Sequence, residues 1–289
     1  MTKISAAILC IALAIAASSQ HAVSQTIERT LKSQGEMREY KLHIPEGLPD
    51  NAPLVIVLHG YGSTNAPERF GMDAAADRHG FAVCYPLGVK DRKGKTCWNV
   101  GYPFQEDMKM DDIRFLRQLV RHLQKEYGFS KKNVFCTGMS NGGDMCYVLA
   151  SRCPGLFTAL APVAGFMSVC TLREDKSQAA VPLLEIHGTM DRTTRWEGDL
   201  DNEGGWGAYL PVPVAVQYFA AKGKCTRYEC DTLAGNTSSI NKVARHIYSN
   251  GTDGTEVWLY ECIGGKHSWS KTGVDTCETI WEFFSKFLQ

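Results

Sequence analysis

Residues 133–143 read Asn-Val-Phe-Cys-Thr-Gly-Met-Ser-Asn-Gly-Gly, which sets a serine between two glycines at the end of a short apolar run. A serine hydroxyl is a weak nucleophile near neutral pH and needs a base within hydrogen-bond reach, usually a histidine that a carboxylate orients. Val134-Phe135-Cys136, then Gly138-Met139-Ser140-Asn141-Gly142, then an apolar helix-forming stretch from Met145 to Ala150 read as strand, tight turn and helix. In that setting a Gly-x-Ser-x-Gly turn lifts its serine Oγ into the open above a helix N-terminus, because glycine has no Cβ to block the bend. The same five residues also occur as an ordinary glycine-rich turn, so possible partners decide between the readings.

Those partners follow in a telling order. In doubly covered sheets with such an elbow, the carboxylate and then the histidine come later in the chain, each on a loop past a strand. Here Asp191 follows the apolar run 181–186 and His267 follows the run 256–262, so Ser140, Asp191 and His267 are expected as nucleophile, orienting acid and base. Asp144 and Asp199 are rival carboxylates, but neither ends a strand. His43 and His246 fall inside strands and His79 and His122 inside helices, while His187 ends a strand ahead of the carboxylate; all five read as structural. The run 52–58 stops at His59-Gly60-Tyr61-Gly62-Ser63, where the backbone N–H of Tyr61, with that of Asn141, would form an oxyanion hole. Trp98, Trp206 and Trp269 offer flat apolar area for a substrate pocket, with core packing as the alternative for each.

Positioning these groups takes a sheet. The stretch 36–44 ends in alternation, as in a half-exposed strand, whereas 52–58 is continuously apolar and β-branched, as in a strand buried on both faces. Further strands are expected at 81–86, 157–163 and 181–186, with 243–248 and 256–262 paired around a glycine-rich turn at 250–254. Helices are expected at 67–79, from Asp111 or Asp112 to about Gly128, at 212–221 and at 275–287. Strands alternating with helices imply an α/β fold with a mainly parallel sheet and helices on both faces. No repeat or linker interrupts the pattern, so residues 25–289 are expected to form one catalytic domain.

Residues 1–24 read as a secretory signal peptide: Lys3, an apolar run 4–17 too short to be a membrane span, and Ala22-Val23-Ser24 before the cut. The mature chain is therefore expected outside the cytoplasm, extracellular or periplasmic, and off the membrane. Lys+Arg and Asp+Glu balance at 31 each, which argues against nucleic acid and favours neutral or weakly charged ligands. The eleven cysteines less Cys10 leave an even set, expected to form disulfides, with Cys225 and Cys230 able to close a short loop. With no Cys-x-x-Cys pair and no histidine beside Cys225 or Cys230, no metal is expected. The basic run from Lys90 to Lys95 reads as a solvated turn.

Leu58-His59-Gly60-Tyr61-Gly62, Cys97-Trp98-Asn99, the elbow through Gly143, Ile186-His187-Gly188-Thr189-Met190-Asp191 and Gly264-Gly265-Lys266-His267-Ser268-Trp269 resemble the motif series of one family. It comprises secreted esterases that group feruloyl esterases and acetylxylan esterases with polyhydroxybutyrate depolymerases. The resemblance spans nearly all of the mature chain and implies an α/β-hydrolase that cleaves carboxylic esters through an acyl-serine, without metal or cofactor. Lys266 departs from it, standing where a third glycine is expected. The segment 196–209, with Gly204-Gly205-Trp206-Gly207, resembles the branch found in plant-cell-wall degraders. The expected function is thus a feruloyl esterase acting on feruloylated or acetylated polysaccharide. Acetylxylan esterase and polyhydroxybutyrate depolymerase are alternatives of the same chemistry, and a non-catalytic carbohydrate-binding protein is a rival of another class.

Overall fold

The apolar runs of the sequence meet in one ten-stranded sheet. The computed structural model describes residues 24–237 and 239–289; the expected leader, residues 1–24, lies outside them apart from Ser24. The strands are β1 (Gln25–Ser33), β2 (Glu36–Ile44), β3 (Leu54–Leu58), β4 (Ala82–Pro86), β5 (Val89–Lys90), β6 (Thr96–Cys97), β7 (Val134–Met139), β8 (Ala159–Val163), β9 (Leu183–Gly188), β10 (Arg227–Thr237), β11 (Ile240–Ser249) and β12 (Val257–Cys262). The helices are α1 (Met72–His79), α2 (Asp112–Tyr127), α3 (Asn141–Arg152), α4 (Val169–Glu174), α5 (Val212–Lys222) and α6 (Thr276–Ser285).

Across the sheet the order is β1-β2-β4-β3-β7-β8-β9-β12-β11-β10, while β5 and β6 form a small separate ladder. From β4 to β12 every pairing is parallel. Antiparallel pairs finish each edge. Burial follows from this: β3, β4 and β8 are buried at every residue because helices cover both faces. Alternation within β3 divides the core, with Leu54, Ile56 and Leu58 packing towards α2, α3 and α5. Val55 and Val57 pack towards α1 and α6 on the other side.

The α/β expectation holds, and the differences have local causes. The helix expected over 67–79 is broken at Gly71, whose φ of 71° lies in the left-handed region, leaving a short 3-10 turn (Pro67–Arg69) before α1. Strands β1 and β10 were not anticipated: they lie at the sheet edges, mostly exposed, and carry few apolar residues. The disulfide expectation is corrected, since all ten described cysteines are thiols. Cys225 Sγ faces the Thr255 carbonyl at 3.6 Å, while Cys230 rides on extended β10 opposite His246, so the strand draws the pair apart. Cys136 and Cys146 come within 4.0 Å, about twice a disulfide bond length. Among the described residues no helix is long and apolar enough to cross a membrane.

Candidate active site

Strand β7 delivers Ser140 and α3 starts on the next residue, so the elbow is a strand-to-helix turn with no spare residues. Ser140 has φ 56° and ψ −122°, a strained conformation for a residue with a side chain. Two glycines make the strain tolerable by letting backbone close in. A Cβ on Gly142 would sit 2.2 Å from the Leu58 carbonyl oxygen, so α3 packs onto the end of β3 only without one. A Cβ on Gly60 would lie 3.3 Å from Ser140 Cβ and 3.8 Å from its Oγ, which brings the loop after β3 directly over the Ser140 side chain.

That loop is braced from behind. Trp98 Nε1 donates to the His59 carbonyl at 3.0 Å. The Asn141 side chain accepts from Trp98 N at 2.7 Å and donates to Trp98 O at 3.1 Å. His59 Nδ1 donates to the Gly60 carbonyl and its Nε2 accepts from Gly88 N–H, which fixes the neutral tautomer. Burial pushes its pKa down to about 4 in agreement. Tyr61 is anchored by its hydroxyl on Asp91 at 2.5 Å, and Asp91 also accepts from Lys93 and Lys95 N–H. The basic run is thus a turn built around one carboxylate. Neither Tyr61 N–H nor Asn141 N–H has a protein acceptor among the described residues, and the latter is a first-turn helix donor.

Loops after β9 and β12 bring the other two residues together. His267 Nδ1 lies 2.7 Å from Asp191 Oδ2. Asp191 Oδ1 accepts from Thr193 N at 2.8 Å and Thr194 N at 3.0 Å, and the Thr194 hydroxyl reaches Oδ2 at 2.9 Å. Burial alone would raise the carboxyl's pKa, but the hydrogen bond and charge of His267, with those of His187 and Thr194 N–H, hold it below the usual range. Thr194 was not foreseen, though a threonine three residues past an aspartate on a strand-end loop is a recognisable cap.

The rival carboxylates point elsewhere. Asp144 is buried against the Tyr102 hydroxyl and Phe166 N–H, and its burial pushes its pKa well up. Asp199 caps Glu203 and Gly204 N–H. His187 is buried immediately behind the acid, its Nε2 donating to the Thr194 carbonyl at 2.8 Å and its Nδ1 lying 2.9 Å from Glu185. Burial opposes charge on this ring, yet the Glu185 hydrogen bond and charge outweigh it and raise its pKa. Glu185 also accepts from the Tyr147 hydroxyl and Gly165 N–H.

Ser140 and His267 line one cleft of about 440 Å³, walled by Tyr61, Phe70, Met139 and Trp269. No hydrogen bond joins the two among the described residues, a looseness common before substrate binds. Of the three tryptophans expected at the pocket, Trp269 alone lines it. Trp98 is corrected to a buried brace with no exposed surface. Trp206 is not part of that lining and stands edge-on to Tyr61 at 5.5 Å.

The sheet, the elbow and the loop-borne acid and histidine define an α/β-hydrolase. The chain belongs to the esterase family described as Esterase PHB depolymerase, whose model matches residues 38–195, more than half of it. It is 30% identical over 204 residues to the poly(3-hydroxyalkanoate) depolymerase C of Paucimonas lemoignei, covering 70% of this chain and 48% of that protein. It is 26% identical over 239 residues to feruloyl esterase B of Piromyces equi, covering 80% of this chain and 42% of that one. The chain therefore spans about half or less of these relatives' lengths. In fold it is similar to an acetyl xylan esterase from Aspergillus awamori, with a TM-score of 0.63 and 16% identity over 90% of this chain and 99% of that one. His267 lies beyond the family match, so its pairing with Asp191 rests on the geometry.

Proposed function

We propose that the chain is a secreted serine esterase whose single catalytic domain removes feruloyl or similar acyl groups from plant cell-wall polysaccharide. The observation that carries the reading is the Asp191–His267 pair, closed at 2.7 Å, on the cleft that Ser140 also lines. With Nδ1 committed to Asp191, Nε2 is the nitrogen left to take the Ser140 proton as Oγ attacks the ester carbonyl. Asp191 stabilises the imidazolium, and the Tyr61 and Asn141 N–H groups receive the oxyanion. His267 then protonates the departing alcohol, and water activated by the same ring releases the acid from Ser140. Tyr61, Phe70 and Trp269 supply aromatic wall for a cinnamoyl group or a sugar face.

The same machinery on a polyester is the second reading, favoured by the similarity to a protein named as a poly(3-hydroxyalkanoate) depolymerase. Hydrolysis of methyl ferulate, p-nitrophenyl acetate and a polyhydroxybutyrate film by wild type and Ser140→Ala separates the readings. Wild type is expected to release ferulate, and Ser140→Ala to lose at least about 10⁴-fold in kcat. Clearing of the film alone would favour the depolymerase, and inertness on every ester would overturn the enzyme reading in favour of a binding protein.

A further inference from the structure

We propose that Arg69 makes this cleft selective for esters that carry a carboxylate close to the scissile bond, an inference that rests on the serine-esterase reading above. Arg69 lines the same cleft as Ser140 and His267, and it is the one side chain with a permanent charge in that lining. No carboxylate lines the cleft, and Arg69 has no side-chain hydrogen bond or ion pair among the described residues. A guanidinium is a planar fork of donors suited to a carboxylate, and Arg69 is exposed on this lining rather than packed into the core.

The backbone beneath Arg69 is held in place. Arg69 N donates to Ala66 O at 3.2 Å and closes the short 3-10 turn begun by Pro67. The next residue, Phe70, is buried, and its carbonyl accepts from Trp269 Nε1 at 2.7 Å. Its ring stands edge-on to Trp269 at 5.0 Å, which ties the Arg69 segment to the loop that carries His267. A charge on an anchored segment needs less ordering to meet its partner than one on a free loop.

The nearby charges favour the same ligand. Lys266 precedes His267, and the Lys95 side chain approaches Gly62, where an added Cβ would lie 3.4 Å from its Cδ. Asp91 is occupied by Tyr61 and two backbone N–H groups, and Asp191 sits behind His267. Glu68, the adjacent acid, lines a different hollow, with Thr26 and Lys41. The charge balance of the whole chain, which favours neutral ligands, thus does not describe this cleft, whose lining holds Arg69 and no carboxylate, with Lys95 and Lys266 outside it. The carboxylate could belong to either side of the ester: to the acyl group, as in a dicarboxylic half-ester, or to the alcohol, as in a uronosyl sugar.

Two matched substrate pairs test this by kcat/KM. On the acyl side, p-nitrophenyl hydrogen succinate is compared with p-nitrophenyl butyrate; on the alcohol side, p-carboxyphenyl acetate with p-carbamoylphenyl acetate. In Arg69→Gln the anionic-to-neutral ratio is expected to fall about tenfold in one pair, which identifies the side, with a smaller fall as added salt screens the contact. Arg69→Glu should lower that ratio further, and Arg69→Lys, which keeps the charge but not the fork, should fall between wild type and Arg69→Gln. Using the ratio cancels any general loss of activity or folding. Ratios within about twofold of wild type in both pairs, for Gln and Glu alike, would overturn the proposal while leaving the esterase reading intact. Wild-type inertness on both neutral esters would instead remove the parent reading, and this one with it.

Discussion

Asp191→Asn is a nearly isosteric change whose effect follows from the donors around the carboxylate. Oδ1 accepts two backbone N–H groups, from Thr193 at 2.8 Å and Thr194 at 3.0 Å, so an asparagine there must place its carbonyl oxygen on that side. Its NH2 then takes the place of Oδ2, which lies 2.7 Å from His267 Nδ1 and 2.9 Å from the Thr194 hydroxyl. An amide donor facing Nδ1 forces the proton of the neutral ring onto Nε2, the nitrogen that should accept from Ser140. Loss of the correct tautomer and of the countercharge is expected to lower kcat by about 10³–10⁴-fold, a barrier increase of about 4–5.5 kcal/mol. The assay is p-nitrophenyl acetate hydrolysis across pH, with thermal unfolding alongside. The stability term has a definite sign: Asp191 titrates below the ordinary 3.8 in the fold, so its pairing stabilises at pH above that value. The stabilisation is lost as acid carries the folded carboxyl through its own lower pKa, so the melting-temperature gap to the variant should close in strong acid. A kcat loss under about tenfold would refute the role given to Asp191.

Two further changes separate structural from chemical roles. His187→Gln leaves buried Glu185 with the Tyr147 hydroxyl and Gly165 N–H but without the imidazole beside it, and is expected to cost about 3 kcal/mol of stability by urea denaturation. Because the His187 pKa is raised above 6.5, and burial raises that of Glu185 too, that cost should be largest below about pH 6.5 while Glu185 is still ionised. It should shrink as pH rises through the folded His187 value or falls far enough to protonate Glu185; a gap that does not narrow in alkali would argue against the pairing. Trp98→Phe removes the donor to the His59 carbonyl and should destabilise by about 1–3 kcal/mol. KM for small esters should stay unchanged, since Trp98 has no exposed surface; a raised KM with full stability would return it to the pocket.

Much of this architecture was legible in the sequence because covalent order and local sterics carry it. A continuous β-branched run such as 54–58 is intelligible only when both faces are covered, and β3 is buried throughout. Ser140, Asp191 and His267 could be read as neighbours because each follows a strand, and parallel strands bring their C-terminal ends to one side of the sheet. What stayed hidden depends on contacts between segments distant in sequence. Arg69 precedes His267 by most of the chain, and its place in the cleft comes from the Phe70–Trp269 contact. His187 reads as a structural histidine, and nothing local announces that Glu185, on the same face of β9, and the Thr194 carbonyl complete its contacts behind Asp191. For Trp98 the sequence leaves pocket wall and core packing both open, and only its complete burial decides for the core.

Trp98 nonetheless bears on the chemistry through the strain at Ser140. A serine at φ 56° and ψ −122° would relax towards an ordinary turn unless its neighbours forbid it. The helix cannot back away, because Gly142 is wedged against the Leu58 carbonyl and the Asn141 side chain is locked on both sides to the Trp98 backbone. The loop over Ser140 cannot lift, because Trp98 Nε1 holds the His59 carbonyl while the neutral His59 ring ties Gly60 O to Gly88 N–H. Asn141 therefore has two separable parts: its backbone N–H has no acceptor among the described residues, and its side chain keeps that N–H in place. Substituting the side chain moves the donor without deleting it, whereas a change that loosens Trp98 disturbs both the Asn141 and Tyr61 donors at once. The brace is the point at which packing sets the positions of Ser140 and of the Tyr61 and Asn141 N–H groups, on which the proposed chemistry depends.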